Sequence, residues 1–202
     1  MRHSGPLLFW LLCHFTFLVD KRRVIRYNRG MMIQKMDDEL VPSVVFDIDG
    51  TLADVRDYLH HLVHRPDAPR DWDAFHNAAM EAPVKKDVLA LLDFHYSICN
   101  EMIILMTSRN ELYRDQTKYW LIKNNIPHHL LIMRSKGDRR PSEDVKQGKI
   151  EWLQTKYDMK HFYDDHPEVC ERIENMGYNV TKIPGYEEDR LFMERYKNEV
   201  QS

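Results

Sequence analysis

The chain has 202 residues, 43% of them hydrophobic and 30% charged, and a formal net charge of −3. This length suits one domain with an appendage, and the composition excludes wholesale disorder. The weakly acidic balance excludes a global basic field, although a local basic groove is compatible with it. The three cysteines are odd in number and far apart, which excludes a disulfide framework and a zinc ribbon and favours a reducing compartment.

Residues 1–40 differ in composition from the rest of the chain. An apolar run from Leu7 to Val19 is followed by three basic residues. The run is short for a bilayer span, and no small-x-small cleavage site of a secretory signal follows it. Three interpretations stay open: a membrane-proximal anchor, a genuine signal, or a leader that is not translated because synthesis starts at Met31, Met32 or Met36. We expect a cytoplasmic protein whose folded domain spans 41–202.

Beyond residue 41, short apolar runs alternate with helical patterns. The patterns predict buried strands at 44–46, 102–106, 130–133, 161–163 and 178–183, and helices over 84–96, 112–123, 143–156 and 167–177. Strands that are apolar on both faces and alternate with helices indicate a parallel sheet covered on both sides. Since crossovers between parallel strands are right-handed, we expect a doubly wound α/β domain.

A segment from about 56 to 82 lies between the first strand and its helix. It is too long for a simple loop and is rich in charge, histidine and aromatic residues, which predicts a small helical cap. Its histidines have no cysteine or carboxylate partners at zinc-site spacing, so we favour a polar helix over a metal site at His60, His61 and His64.

Polar residues follow three of the predicted strands, at the edge where ligands bind in such a sheet. They are Asp47 and Asp49 after the first strand, Thr107, Ser108 and Arg109 after the second, and Asp164 and Asp165 after the fourth. Four carboxylates at one rim repel each other unless they neutralise something. A hard cation such as Mg²⁺, shared with a substrate phosphate, resolves that repulsion.

The residue types at this rim suit phosphoryl transfer. Asp47 leads straight into the site and suits a nucleophile that forms an aspartyl-phosphate. Asp49 could protonate the leaving oxygen and then activate water. Gly50 gives the bend its backbone freedom, and exposed N–H groups there could bind phosphate oxygens. Thr107 offers a hydroxyl to a phosphate oxygen.

A lysine on the helix after the third strand would offset the negative charge of the phosphoryl group. Lys146 and Lys149 are the two candidates, and the sequence leaves both open. A calcium loop beginning at Asp47 is excluded, because its twelfth position is Tyr58 rather than a glutamate.

The string from Asp47 to Asp54 resembles motif I of the haloacid dehalogenase (HAD) phosphatase superfamily. Thr107, Lys146 and the Asp164–Asp165 pair fall in order where that family keeps its later motifs. The resemblance implies that Asp47 is the nucleophile and Asp49 the acid/base, and it implies a sheet of order 3-2-1-4-5. It also implies a Mg²⁺ site, for which the candidate ligands are Asp47, Asp49, Asp164 and Asp165.

A closer similarity is to the phosphatase domain of phage-type polynucleotide kinase-phosphatases. It rests on strings at 106–109, 133–134, 137–141, 145–146 and 163–165, with Trp72–Phe75 in the insert fitting the same group. By this similarity Arg109 helps bind phosphate. The full set of candidate substrate-binding residues is Gly50, Thr51, Ser108, Arg109, Arg139 and Arg140.

This similarity implies removal of a 3′-phosphate from a nucleic-acid end. No P-loop motif occurs in this sequence. A separate kinase protein is one candidate partner. The alternatives are a nucleotidase or another small-molecule phosphatase, and a binding module that has lost catalysis. The intact Asp47 and Asp49 count against the last.

Overall fold

The computed structural model describes residues 40–63 and 70–201, except for the side chains of Glu187, Tyr196 and 199–201. The leader expected over 1–40 therefore lies outside the described residues, apart from Leu40, and so does His64.

The core of the fold is one five-stranded sheet. Every pairing is parallel, and the order β3-β2-β1-β4-β5 confirms the predicted topology. The strands are β1 (Val41–Phe46), β2 (Met102–Asn110), β3 (Leu130–Arg134), β4 (Tyr157–Asp164) and β5 (Val180–Lys182).

Helices connect the strands and follow the last one. They are α1 (Trp72–Ala78), α2 (Lys86–Ser97), α3 (Arg114–Lys123), α4 (Ser142–Leu153), α5 (Pro167–Asn175) and α6 (Tyr186–Gln201). Pro167 stands in the first turn of α5, and Gly177 follows its end with a φ of +89°, a conformation that suits glycine. Within the described ranges, no helix is both long enough and apolar enough to cross a membrane.

Two hydrophobic clusters cover the two faces of the sheet. Successive side chains of a strand point to opposite faces, so Phe46 belongs to one cluster and Val45 to the other. Helices α2 and α3 contribute to the first cluster, whereas α4 and α5 contribute to the second. This division explains why the strands read as apolar without alternation.

The insert between β1 and α2 is helical where it is described. It contains a 3-10 helix (Arg56–Leu62), α1, and a second 3-10 helix (Ala79–Glu81). The side chain of Asp71 caps α1 by accepting a hydrogen bond from the backbone N–H of Ala74. Apolar side chains of the insert join the cluster on the α2 face, so the insert packs on that side of the sheet. These side chains include Leu59, Phe75 and Met80.

Candidate active site

The carboxyl ends of β1 and β4 bring three carboxylates together. Asp47 follows β1, and its backbone N–H continues the pairing with β4 by bonding to the carbonyl of Tyr163 at 2.9 Å. Asp47, Asp164 and Asp165 each offer one oxygen, and these oxygens lie within 4.8 Å of one another. All three side chains are buried. The fold thus creates the rim of acidic residues that the strand ends predict.

Lys146 reaches this cluster from α4. Its Nζ donates hydrogen bonds of 2.6 Å to Asp47 Oδ1 and of 2.6 Å to Asp164 Oδ2. Burial alone would lower the pKa of Lys146, but the charges of Asp164 and Asp47 outweigh burial and raise this pKa well above its usual range. Lys149, by contrast, donates to Ser135 Oγ at 3.2 Å in an exposed position. Of the two candidate lysines, the structure places Lys146 in the cluster.

The charge of the site is not balanced by its own residues. Burial, reinforced by Asp164 and Asp165, raises the pKa of Asp47 against the opposing charge of Lys146. Burial and the neighbouring Asp164 likewise raise the pKa of Asp165 to about 7. With Asp49 included, four carboxylates face the two cations Lys146 and Arg109. The formal excess is two negative charges, which one divalent cation cancels, and oxygen-only donors suit a hard ion such as Mg²⁺.

Asp49 lies beside the cluster and is paired with Arg109. The guanidinium binds both carboxylate oxygens, with Nε 2.8 Å from Oδ2 and Nη2 2.5 Å from Oδ1. Arg109 is only 1% exposed and lies over the ring of Trp120. Burial alone would raise the pKa of Asp49, but the charge and hydrogen bonds of Arg109 overcome it and lower this pKa. The Asp49 carboxylate is therefore turned to Arg109 and is not part of the three-carboxylate group.

The turn after Asp49 is shaped by Asp165. Gly50 has a φ of +81°, and a Cβ at this position would lie 2.1 Å from Asp165 Oδ2. The next hydroxyl, Thr51 Oγ1, donates to Asp165 Oδ1 at 3.1 Å. Glycine is required here for both backbone conformation and space. Thr51, expected to bind phosphate, holds Asp165 in this structure.

The end of β2 supplies the predicted hydroxyls. Thr107 is buried, and its Oγ1 accepts a hydrogen bond of 3.1 Å from the backbone N–H of Arg109. Ser108 Oγ is buried and has no hydrogen-bond partner among the described residues. An unpaired buried hydroxyl is a donor that a phosphate oxygen could use if it lay within reach.

The basic residues Arg139 and Arg140 lie in an exposed loop after β3. Arg140 binds the Asp138 carboxylate, with Nη2 2.7 Å from Oδ2. Arg134 links this loop to the end of β2, because it donates to the carbonyls of Ser108 at 2.9 Å and Arg140 at 2.6 Å. Within the described residues, neither Arg139 nor Arg140 hydrogen-bonds to a carboxylate of the site.

Two further residues near the site carry no signal in the sequence. Lys85 precedes α2, and its Nζ donates to the carbonyls of Gly50 at 2.5 Å and Pro184 at 3.1 Å. His76 of the insert is buried, its ring centroid lies 4.4 Å from that of Tyr113 at a tilt of 43°, and burial lowers its pKa to about 4. A basic residue before a helix and a histidine inside one are both common. Only the folded structure shows that Lys85 contacts the turn at Gly50.

The sheet order and the buried carboxylate–lysine cluster at its carboxyl edge define a phosphatase of the HAD superfamily. The family model for the polynucleotide kinase PNKP phosphatase domain matches residues 41–185, and the chain belongs to that family. Among curated proteins, none matches the chain in sequence.

Solved structures share the fold at low sequence identity. A chain of the Pnkp1/Rnl/Hen1 complex is 23% identical with a TM-score of 0.59, over 78% of this chain and 50% of that chain. The class C acid phosphatase from Bacillus anthracis with tungstate bound is 18% identical with a TM-score of 0.56, over 72% and 67%. The chain thus spans about half the length of the Pnkp1-complex chain.

Proposed function

We propose that this protein is a Mg²⁺-dependent polynucleotide 3′-phosphatase that acts through an aspartyl-phosphate on Asp47. The observation that carries the proposal is the Lys146 ammonium held between Asp47 and Asp164, in a chain of the PNKP phosphatase family. Lys146 fixes Asp47 at the end of β1 and opposes the rise of its pKa, and a bound divalent cation would further favour the charged form that a carboxylate nucleophile needs.

Asp47, Asp164 and Asp165 are the residues that would hold Mg²⁺. The excess of negative charge in the site and the close approach of three carboxylate oxygens fit a divalent cation. When bound, the ion would neutralise charge on the phosphoryl group and orient it.

The first half of the reaction transfers the phosphoryl group to Asp47. A carboxylate oxygen of Asp47 attacks phosphorus, an oxygen–phosphorus bond forms, and the bond from phosphorus to the ester oxygen breaks. The leaving oxygen takes a proton from Asp49, so that an alcohol departs. In this proposal Lys146 and the hydroxyls of Thr107 and Ser108 would stabilise the charge that develops on the phosphoryl oxygens.

The second half restores the enzyme. Asp49, now a carboxylate, takes a proton from water as the water oxygen attacks phosphorus. The bond from phosphorus to Asp47 breaks, inorganic phosphate leaves, and Asp47 is again a free carboxylate. One water molecule is consumed in each turnover, and Asp49 ends with the proton that the next leaving group needs.

Arg109 links substrate binding to the protonation of Asp49. While Arg109 binds Asp49, the pKa of Asp49 stays low and the residue is a poor acid. A substrate phosphate competes for the same guanidinium, since arginine binds phosphate in the same bidentate manner as carboxylate. Transfer of Arg109 from Asp49 to the phosphate would raise the pKa of Asp49 at the moment when a proton donor is needed.

A nucleic-acid end is the substrate we favour over a mononucleotide. Arg139 is exposed in a loop that Arg134 ties to the end of β2, which suits contact with a phosphodiester backbone. A chain of the Pnkp1/Rnl/Hen1 complex is similar to this one in structure. As a partner we propose a separate kinase protein that acts on the same nucleic-acid ends.

The test is phosphate release with Mg²⁺ from a 3′-phosphorylated oligonucleotide, beside the 5′-phosphorylated oligonucleotide and the 3′- and 5′-mononucleotides. We expect preference for the 3′-phosphorylated oligonucleotide and no turnover by Asp47→Asn. Preference for mononucleotides would instead favour a nucleotidase. A correctly folded and fully active Asp47→Asn protein would contradict the mechanism.

A further inference from the structure

A second group of metal-ligating side chains lies away from the three carboxylates, at the C-terminal end of α2. His95, Cys99 and Glu101 each offer one ligand atom, and these atoms lie within 4.8 Å of one another. Cys99 is an exposed free thiol, and His95 and Glu101 are partly buried. The catalytic proposal uses none of the three.

The backbone holds this group in place. The N–H of Cys99 bonds to the carbonyl of Phe94 at 3.1 Å, and the N–H of Glu101 bonds to the carbonyl of His95 at 3.1 Å. Asn100, between them, adopts a φ of +52°, a left-handed conformation that asparagine tolerates. The chain therefore folds back over the last turn of α2 and brings the thiol and the carboxylate to the histidine.

Contacts at both ring nitrogens fix the orientation of His95. Its Nδ1 lies 2.6 Å from Glu101 Oε2, and its Nε2 lies 2.8 Å from the hydroxyl of Tyr163. Tyr163 stacks on Phe46, with 4.4 Å between ring centroids, which fixes the tyrosine ring. A hydroxyl can donate or accept, so Tyr163 supports either tautomer of His95. Outer partners of this kind orient histidine ligands in metal sites.

We propose that Cys99, His95 and Glu101 form a site for a borderline-soft divalent transition metal, of which Zn²⁺ is the type. Thiolate and imidazole are the ligands that such ions prefer, whereas Mg²⁺ prefers oxygen alone. Three protein ligands leave a fourth position for water. The end of α2 adds the negative pole of a helix dipole, which favours a cation.

Metal binding at this site requires small rearrangements. Tetrahedral zinc at the usual bond lengths separates a nitrogen and an oxygen ligand by about 3.4 Å, so the Glu101 carboxylate must move back from Nδ1 by less than about 1 Å. The proton on Nδ1 moves to Nε2, which then donates to Tyr163. Cys99 loses its proton to solvent and binds as a thiolate, without any change of oxidation state.

The test is a titration of the full reduced chain with Co²⁺ in the presence of excess Mg²⁺, followed by the thiolate-to-cobalt charge-transfer absorption. Oxygen ligands give no such band, so cobalt bound at the three catalytic carboxylates is silent in this measurement. We expect the band to saturate at one Co²⁺ per chain and to disappear when Zn²⁺ displaces the cobalt. The readout does not depend on phosphatase activity.

Variants make the assignment specific. Cys99→Ser should abolish the band, although Cys13 and Cys170 remain in that protein. Tyr163→Phe keeps the stacked ring and should weaken cobalt binding about 10- to 100-fold. Glu101→Gln should weaken it at least about 10-fold, whereas Asp93→Asn, an exposed acid on the same helix, should not. Absence of the band, or a band that survives Cys99→Ser in folded protein, would overturn the proposal.

Discussion

At the scale of single residues, the site is a set of charge pairs in which each cation has a defined carboxylate. Lys146 serves Asp47 and Asp164, and Arg109 serves Asp49. The two cations enter from different elements, α4 and β2. Because both cations are buried, removing either side chain would leave a carboxylate buried without its partner charge. The roles of these residues can therefore be separated by single substitutions.

We predict that Lys146→Met lowers kcat for phosphate release at least about 100-fold, because it removes the only ammonium that contacts Asp47 in the described site. Lys149→Met is the matched control, since that exposed lysine donates to Ser135 and not to the carboxylate cluster, and its kcat should change less than about threefold. If Lys146→Met does not fold, Lys146→Arg is the second variant, because it keeps the positive charge and changes the position of the donor. Equal activity of the two Met variants, both folded by circular dichroism, would contradict the role of Lys146.

We predict that Gly50→Ala lowers activity about 100-fold, because its Cβ would lie 2.1 Å from Asp165 Oδ2 and displace a proposed metal ligand. Gly137→Ala is the control, since Gly137 has a similar φ of +79° with open space around it. Both variants should lose about 1–2 kcal/mol in free energy of unfolding from left-handed strain, but only Gly50→Ala should need more Mg²⁺. The same Mg²⁺ dependence in both would contradict crowding of Asp165.

At the scale of elements, the sequence predicts the strands that buried apolar runs form. Each of the five strands is present, although β5 is short and contains a single apolar residue, Val180. The strand ends bring Asp47, Asp164 and Asp165 together, whereas Asp49 pairs with Arg109.

Strand β4 begins at Tyr157, earlier than the predicted 161, and its pairing with β1 shifts between Ser43 and Val44. At that irregularity Lys160 has no register partner in β1. Polar residues such as Asp158 and Lys160 interrupt the apolar pattern, so the sequence does not indicate the first half of β4.

Other features depend on contacts between distant segments and leave no local pattern. Helix α6 is highly charged and its few apolar residues, such as Phe192, pack only in part, so no clear periodicity predicts it. The pairing of Arg109 with Asp49 spans 60 positions. The contact of Lys85 with Gly50 likewise joins segments that only the fold brings together.

We predict that Lys85 is a positioning residue for the turn at Gly50. Lys85 ties this turn to Pro184, and residues 53 and 84 pair beside it. Lys85→Met should lower kcat about 10-fold with little change in KM, and should reduce the free energy of unfolding by about 1.5–3 kcal/mol, because two carbonyls lose a charged donor.

Lys86→Met is the control for this prediction, since Lys86 is the next residue and is exposed. Its kcat and free energy of unfolding should stay close to those of the parent protein. A fall in stability without any change in kcat for Lys85→Met would show that Lys85 supports the fold but not the geometry of the site.

At the scale of the whole molecule, the last helix closes the same face of the sheet that carries the insert. Phe192 and Met193 of α6 pack against the cluster that contains Leu59 of the insert. Asp189 lies in the first half of α6, and its Oδ1 is buried with no hydrogen-bond partner among the described residues. Burial raises the pKa of Asp189 to about 6, although Lys85 and Arg56 oppose the shift. The pH dependence of the free energy of unfolding should therefore reflect how α6, which carries Asp189, packs on the domain.

We predict that Asp189→Asn stabilises the folded chain above pH 7 by about 1–2 kcal/mol, an amount reduced for screening by nearby solvent. A raised folded-state pKa means that Asp189 is protonated without cost below its ordinary value of 3.8, and that stability is lost as pH rises through about 6. The two proteins should thus unfold alike near pH 3.5 and diverge between pH 4 and 7 in urea titrations. Glu188→Gln, at an exposed neighbour, should track the parent protein at every pH. A constant offset for Asp189→Asn across this range would mean that its charge in the folded state does not limit the packing of α6.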